Sequence, residues 1–531
     1  MMKKNKKLWF KQKRYFKKRS KDAPAVRIKT ETNKAGIFKK LTVAFLVLVQ
    51  LSVLVLIHIY FAVVSNWVLL LNLTLSFITS VYVLSSNKNG LSKAVWIMFL
   101  LMFFAFSNLI FWLSEDRVFF GKVKKRYKAV FDQAQSFNNN TENYDNSSIT
   151  VQNDCRYLNS VGRFSTYNDS KINYFSSGTL LFDDVLESIK KAKKFVFIEF
   201  FIVSDGVLLK RFYDILSQKV AEGVDVRLIY DDLGSKGTLS YKTKRKFKKA
   251  GIKIKAFNKF MPIFLVSMNY RDHRKIISVD GQTAYTGGSN LADEYINEKR
   301  MHGYWKDTGV KITGRAVDGF TLIFLRQWEV MCREREDYSA FMNLYQPIKN
   351  KSAVVPYADG LDYENAIGRG VYEKIIAGAN EFVYIMTPYF IIDNGLTDLI
   401  INKALSGVDV RLVLPDVPDK QYVYDVSRNN AEKLIGYGVK VYTVTNAFVH
   451  SKIVISENCV SVGSVNMDLR SFYQQFECAV YTDDEKFMKQ VLDDFDDTFK
   501  FSVLIDDKNK RRNNIVYRTW VGLLNLFAPL M

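Results

Sequence analysis

One short peptide that occurs twice constrains the fold of this chain more than any other feature. GVDVRL stands at Gly223–Leu228 and again at Gly407–Leu412, each time after an amphipathic stretch and before an apolar strand end. Its surroundings recur in the same order: IEFFIV near Glu199 corresponds to IMTPYFII near Thr387, and KKAGIKIKAF to KLIGYGVKVYTV. A chain-wide duplication is therefore expected. The runs KKFVFIEFFIV, LLKRFYDILSQKVAEG and VDVRLIYDD read as strand, helix and strand, so the repeated unit is α/β with mixed sheets.

Both halves then reach a His-x-Lys strand. The first is HRKIISVDGQTAYTGGSN, with His273, Lys275, Asp280, Gly288, Ser289 and Asn290; the second is HSKIVISENCVSVGSVN, with His450, Lys452, Glu457, Ser464 and Asn466. His273 lies 50 residues beyond Gly223 and His450 lies 43 beyond Gly407, nearly the same place in each half. A period of two puts the histidine and lysine of each strand on one face. Of the four histidines, His58 falls in an apolar run and His302 in a polar segment, and both are read as non-catalytic.

Phosphodiester exchange explains why such a set is needed twice. It requires a nucleophile, an acid for the departing alkoxide, and fixed positive charge or donors around the phosphate oxygens. Two histidines divide the first two roles, while two lysines and two Ser/Asn pairs supply the rest. A nucleophilic imidazole also needs a partner on its other nitrogen. Each half offers a carboxylate soon after its motif: Asp307 in YWKDTGV and Glu477 in QQFECAV.

The formal net charge of +22 is uneven, because residues 1–40 hold sixteen Lys or Arg against Asp22 and Glu31. This basic tail runs into apolar stretches at Leu41–Phe61, Trp67–Leu84 and Ala94–Leu113. Contact with anionic lipid headgroups is the simpler reading of such a tail, and nucleic acid is not expected as a partner. Each run has about the length of a membrane-crossing helix, so residues 41–113 are expected to hold two or three spans. Lys122, Lys124, Lys125, Arg126 and Lys128 after the third run favour the inside, as does the tail, and this leaves open the count of spans and the side of the catalytic unit.

The Asn-rich QAQSFNNNTENYDNSSIT, residues 133–150, marks a linker or exposed loop. The expected domains are a cytoplasmic tail (1–40), a membrane region (41–113), a linker (114–160) and two halves (161–345 and 346–531). Cys155, Cys332, Cys459 and Cys478 lie far apart with no CxxC and are read as free thiols, so neither a disulfide framework nor a metal site is indicated.

With both motifs placed, the chain resembles the phospholipase D superfamily, and within it the bacterial cardiolipin synthases. The resemblance runs from about residue 67 to the end. It rests on SSNKNGLSKAVWIMFLLMFF, EFFIVSDG, GVDVRLIYDDLGS, HRKIISVDGQTAYTGGSNLADEY, YWKDTGVKITGRAV, TPYFIIDNGL, and HSK with VGSVNMDLRSF. It implies one bilobal catalytic unit of two tandem halves, no metal or other cofactor, and a multi-pass protein of the cell membrane. Phosphatidylglycerol and other anionic phospholipids are the implied partners. The implied reaction passes through a phosphatidyl-histidine: His273 attacks one phosphatidylglycerol, His450 protonates the departing glycerol and then activates a hydroxyl of a second. Lys275, Lys452, Asn290 and Asn466 would hold the phosphate oxygens with Ser289 and Ser464 close by, and Asp280 and Glu457 are expected among the catalytic residues as the acids that complete the two motifs.

The second motif departs from the family pattern. It carries Glu457 where the family has aspartate, and its segment Lys452–Gly463 is one residue short, so either Glu457 or Ser456 takes the aspartate's place. The C-terminal WVGLLNLFAPLM is expected to pack on the catalytic unit or to lie in the membrane interface, packing being favoured. A phospholipase D with another acceptor and a non-catalytic lipid-binding scaffold are the alternative readings.

Overall fold

In a computed structural model, residues 66–86, 90–114, 121–137, 147–259, 270–346, 348–360, 363–506, 515–526 and 528 are described, with isolated positions between 52 and 60. The basic tail and nearly all of the first apolar run lie outside them. The first half contributes β1 (Ser170–Phe175), β2 (Phe195–Phe200), β3 (Asp225–Asp231), β4 (Lys253–Phe257), β5 (Arg271–Asp272), β6 (Lys275–Val279), β7 (Thr283–Gly287), β8 (Tyr304–Lys306) and β9 (Gly309–Gly314). The second contributes β10 (Val354–Asp359), β11 (Phe382–Met386), β12 (Phe390–Ile391), β13 (Asp409–Pro415), β14 (Lys440–Val444), β15 (Ala447–Val449), β16 (Ile453–Ser456), β17 (Val460–Gly463), β18 (Met467–Asp468), β19 (Gln475–Thr482) and β20 (Ser502–Leu504).

The duplication is visible in the strand order. One sheet runs β1-β9-β7-β6-β2-β3-β4, and the other β10-β19-β17-β16-β11-β13-β14-β20, so each strand of the first has a counterpart and β20 is an added edge. Neighbours β2, β3 and β4 are parallel, as are β11, β13 and β14, with a helix in each crossover. The glycine of GVDVRL has a backbone reason to recur. Gly223 and Gly407 follow the ends of helices Val207–Ala221 and Asn394–Leu405 at φ +89° and +91°, left-handed values that a residue with a Cβ adopts only under strain.

Two short strand pairs lock the halves together. Parallel pairing joins β8 of the first half to β15 of the second, and β5 of the first to β19 of the second. Centrally placed β2 is buried along its whole length and reads as a nearly continuous apolar run. Its one carboxylate, Glu199, is tolerated because Arg274 Nη2 lies 2.9 Å away and also the Arg274 Nε donates to Asp272. Arg274 is the residue between His273 and Lys275, and strand alternation sends it to the opposite face.

The second apolar run forms helix Asn66–Ser85, while the third is broken into Gly90–Met102 and Phe104–Ser114. Ser107 sits just past the break and its hydroxyl donates to the carbonyl oxygens of Phe103 and Leu100, a back-bonding that bends helices. Among the described residues no helix is long and apolar enough to cross a membrane. Burial is nevertheless inverted here: Leu71, Phe77 and Ile78 are exposed, while Ser76, Thr79 and Asn108 are buried and Asn108 Nδ2 donates to Ser76 Oγ at 2.7 Å.

Segment 114–160 contributes helices Gly121–Ala134 and Ile149–Gly162. Val151, Cys155 and Leu158 of the latter join the core of the second sheet. All four cysteines are free.

Candidate active site

The two His-x-Lys strands meet because of the interlocking short strands. His273 follows β5, and its main-chain N–H donates to Phe476 O of β19 at 2.8 Å; His450 follows β15, and its N–H donates to Lys306 O of β8 at 2.7 Å. Each histidine backbone is thereby held beside the strand that delivers the other half's acid. His273 Nδ1 lies 2.9 and 3.0 Å from the two carboxylate oxygens of Glu477, and His450 Nδ1 lies 2.8 Å from Asp307 Oδ2. The carboxylates expected within each half are exchanged between the halves. With Nδ1–H given to a carboxylate, the lone pair of a neutral ring is on Nε2.

Lys275 and Lys452 repeat one another down to a hydrogen bond from Nζ to the carbonyl oxygen of the histidine two places before. The charges act across the pseudo-symmetry. Burial pushes the His273 imidazole well below its ordinary value, with further lowering from Lys275 and Lys452. Burial does the same to His450, helped by Lys452 and Lys275. Both ammonium groups are pushed down by burial, Lys275 to about 8 and Lys452 to about 7. Burial raises the Glu477 and Asp307 carboxyls, against the pull of the two lysines. An anion entering this space relieves the cation–cation repulsion and raises the proton affinity of both imidazoles.

Not every residue expected in the site faces the substrate. Asp280, at φ +54°, turns away and accepts from the N–H groups of Lys193, Lys194 and Phe195 at 2.7–2.8 Å, fastening the loop that leads into β2. Glu457 does the same for β11, accepting from Asn380 N at 2.7 Å and from Glu381 and Phe382 N at 3.4 Å. Glu457 therefore takes the aspartate's place, its extra methylene spanning the shortened turn, and Ser456 does not. A catalytic role for Asp280 and Glu457 is corrected to a tethering one, because their acceptor lone pairs are given to backbone donors outside the site.

The Ser/Asn groups also separate. Ser464 N donates to Cys478 O and Gly288 N donates to Thr308 O, so Gly288, and not Ser289, is the counterpart of Ser464. Ser464 Oγ donates to Glu477 Oε2 at 2.5 Å and holds that carboxylate together with Ser471 Oγ. Ser289 is buried and its Oγ, which has no hydrogen-bond partner, lies 3.0 Å from where a Cβ on Gly178 would stand. Asn290 is committed to the scaffold, accepting from Ile202 N and donating to Tyr295 Oη at 2.6 Å, whereas Asn466 Oδ1 is buried without a partner.

Gly288 lies at a close approach between the halves, beside the second histidine. A Cβ there would stand 2.2 Å from Asp307 Oδ1 and 2.7 Å from His450 O, and only glycine fits.

Three groups escaped the sequence reading. Arg470 adds positive charge beside His273, Lys420 does so beside His450, and Tyr295 lies edge-on to the His450 ring at 5.4 Å. Trp305 and Phe448 complete an aromatic wall around His450, while Phe201 covers His273 at 5.1 Å. Arg470 stands four residues beyond Asn466 in VGSVNMDLRSF, and that proximity was the one available signal.

Comparison with known proteins bears on this geometry. The family model described as "Cardiolipin synthase, PLD-like domain" matches residues 185–305 and 372–499, one segment in each half. A cardiolipin synthase of Staphylococcus aureus is 30% identical over 482 residues, covering 87% of this chain and 95% of its own. Cardiolipin synthase 1 of the same species is 33% identical over 437 residues, covering 80% and 88%. An uncharacterized protein of Streptococcus mutans is 34% identical over 456 residues, covering 85% and 99%. Among solved structures, phosphatidylserine synthase of Haemophilus influenzae superposes with a TM-score of 0.55 at 14% identity, covering 71% of this chain and 97% of its own, a likeness of fold.

Proposed function

The chain belongs to the cardiolipin synthase family of the phospholipase D superfamily, and from that premise we propose that it condenses two phosphatidylglycerol molecules into cardiolipin and glycerol. His273 Nε2 attacks the phosphorus of the first lipid, and the bond from phosphorus to the glycerol headgroup breaks. The departing alkoxide takes a proton from His450, leaving a phosphatidyl-histidine. His450, now neutral, removes the proton from a headgroup hydroxyl of the second phosphatidylglycerol. That oxygen attacks phosphorus, the N–P bond breaks, and His273 is regenerated.

The observation that carries this reading is the exchanged pairing: two imidazoles with Nδ1 committed to buried carboxylates, backed by Lys275 and Lys452. Glu477 and Asp307 stabilise whichever ring is protonated, and the lysines and Asn466 face the phosphate oxygens. We also assign the protein to a membrane, with the N-terminal apolar runs as its anchor. The basic tail and the inverted burial around Ser76 and Asn108 support this.

Membranes carrying the wild-type, His273→Ala and His450→Ala proteins, given headgroup-labelled phosphatidylglycerol, test the proposal. Cardiolipin with released glycerol from the wild type alone is the expected result. Phosphatidic acid in place of cardiolipin would make the enzyme a phospholipase D, and turnover surviving both substitutions would overturn the mechanism.

A further inference from the structure

Helix Ile515–Leu526 is apolar on more than the face it buries. Tyr517, Val521 and Leu524, spaced one helical turn apart, pack on Ile391, Val423, Val426 and Leu469. Beside that stripe Val516, Trp520 and Leu523, at the same spacing, are 72%, 49% and 53% exposed, and Ile515 at the helix start is 75% exposed. On the other side of the buried stripe stands the polar Asn525. A helix that only capped the second half would carry polar residues where Val516, Trp520 and Leu523 stand.

The buried face of this helix shares a cluster with residues next to the active site. Tyr389 packs in the same cluster as this helix, and its hydroxyl donates to Asp419 at 2.6 Å. The next residue, Lys420, places its charge against His450 and its side chain is half exposed. Chain just before the helix reads KNKRRNN, four cations in seven residues. Apolar stripe, interfacial tryptophan and flanking cations suit an anionic bilayer surface.

We propose that helix Ile515–Leu526 is a docking element that lays Val516, Trp520 and Leu523 into the interfacial layer of an anionic bilayer, holding the second half of the catalytic unit at the headgroups. The proposal deepens the assignment of a lipid substrate and rests on it, but its test does not depend on turnover alone.

Full-length protein in proteoliposomes of phosphatidylglycerol and brominated phosphatidylcholine supplies the first readout. Quenching of tryptophan emission should be weaker in Trp520→Phe, which keeps the stripe apolar, and Trp520→Phe should retain activity. The second readout compares turnover of bilayer phosphatidylglycerol with that of a short-chain phosphatidylglycerol below its micelle concentration. Joint replacement of Val516, Trp520 and Leu523 by serine should reduce the first about tenfold or more and leave the second unchanged. Equal quenching in wild type and Trp520→Phe, or full bilayer activity of the triple variant, would overturn the docking. A triple variant that instead loses self-association would also overturn it, making the stripe a contact between two copies. Should the wild type act on neither substrate, the assigned function fails, and quenching alone decides the docking.

Discussion

His450 Nδ1 lies 2.8 Å from Oδ2 of Asp307, a residue 143 positions earlier in the other half of the duplication. The reciprocal bond joins His273 to Glu477, 204 positions later. Each half thus supplies the histidine of one pair and the carboxylate of the other, so neither half has a complete catalytic group by itself.

This exchange is directly measurable, because the chain has four histidines. Glu477→Gln should perturb the imidazole nitrogen resonances of His273 and leave those of His450 nearly unchanged; Asp307→Asn should do the reverse. Turnover should fall about 10²-fold or more in each, since the amide no longer favours the Nδ1–H tautomer or the imidazolium. Resonances responding within the same half would refute the crossed arrangement.

Gly288 should tolerate no side chain. Gly288→Ala brings a methyl against Asp307 Oδ1 and the His450 carbonyl oxygen, and the displaced carboxylate should cost at least about 10²-fold in kcat. Gly436→Ala, where nothing lies within 4 Å of the new Cβ, should leave kcat unchanged in the same assay.

Asp280 and Glu457 should affect stability and not chemistry. Removing the three backbone bonds of Asp280 by Asp280→Ala should cost about 2–3 kcal/mol and lower the melting temperature by several degrees. Glu457→Ala should cost less, because two of its three bonds are 3.4 Å long, and Glu457→Asp less again. Activity per folded molecule should stay near wild type in all three. A selective loss of kcat at an unchanged melting temperature would return these acids to the chemistry.

Anion affinity should weaken as pH rises. Burial lowers the lysine pKa values because it disfavours the charged form, so Lys452 loses its proton near pH 7 and Lys275 near pH 8. The inhibition constant of a non-reactive phosphonate analogue should therefore be lowest below pH 7 and rise through pH 7–8. Lys452→Arg should move the first part of that rise to higher pH. An inhibition constant flat from pH 6 to 9 would exclude both lysines as phosphate ligands.

Much of this protein is set by local pattern. Two copies of one α/β unit follow from GVDVRL, whose glycine ends a helix at positive φ in both halves. The facing of His273 with Lys275, and of His450 with Lys452, follows from strand alternation, which also turns Arg274 to the other side. Similarly, Asp307 and Glu477 are legible as candidate acids because each stands soon after the motif of its half.

Which histidine each acid serves was decided elsewhere. It depends on β8 pairing with β15 and β5 with β19, contacts of two or three residues whose partners lie more than a hundred positions away. Sequence patterns report the periodicity of one segment, and such short strands have too few residues to show any. The same limit hid the tethering role of Asp280 and Glu457, since a carboxylate in a turn looks alike whether it faces a phosphate or three amides of a neighbouring loop. The third apolar run is interrupted at Phe103, to whose carbonyl oxygen the Ser107 hydroxyl donates, and hydropathy is blind to where that hydroxyl points. Tertiary structure decided these matters because each is a choice among hydrogen-bond partners that the chain brings together only after folding.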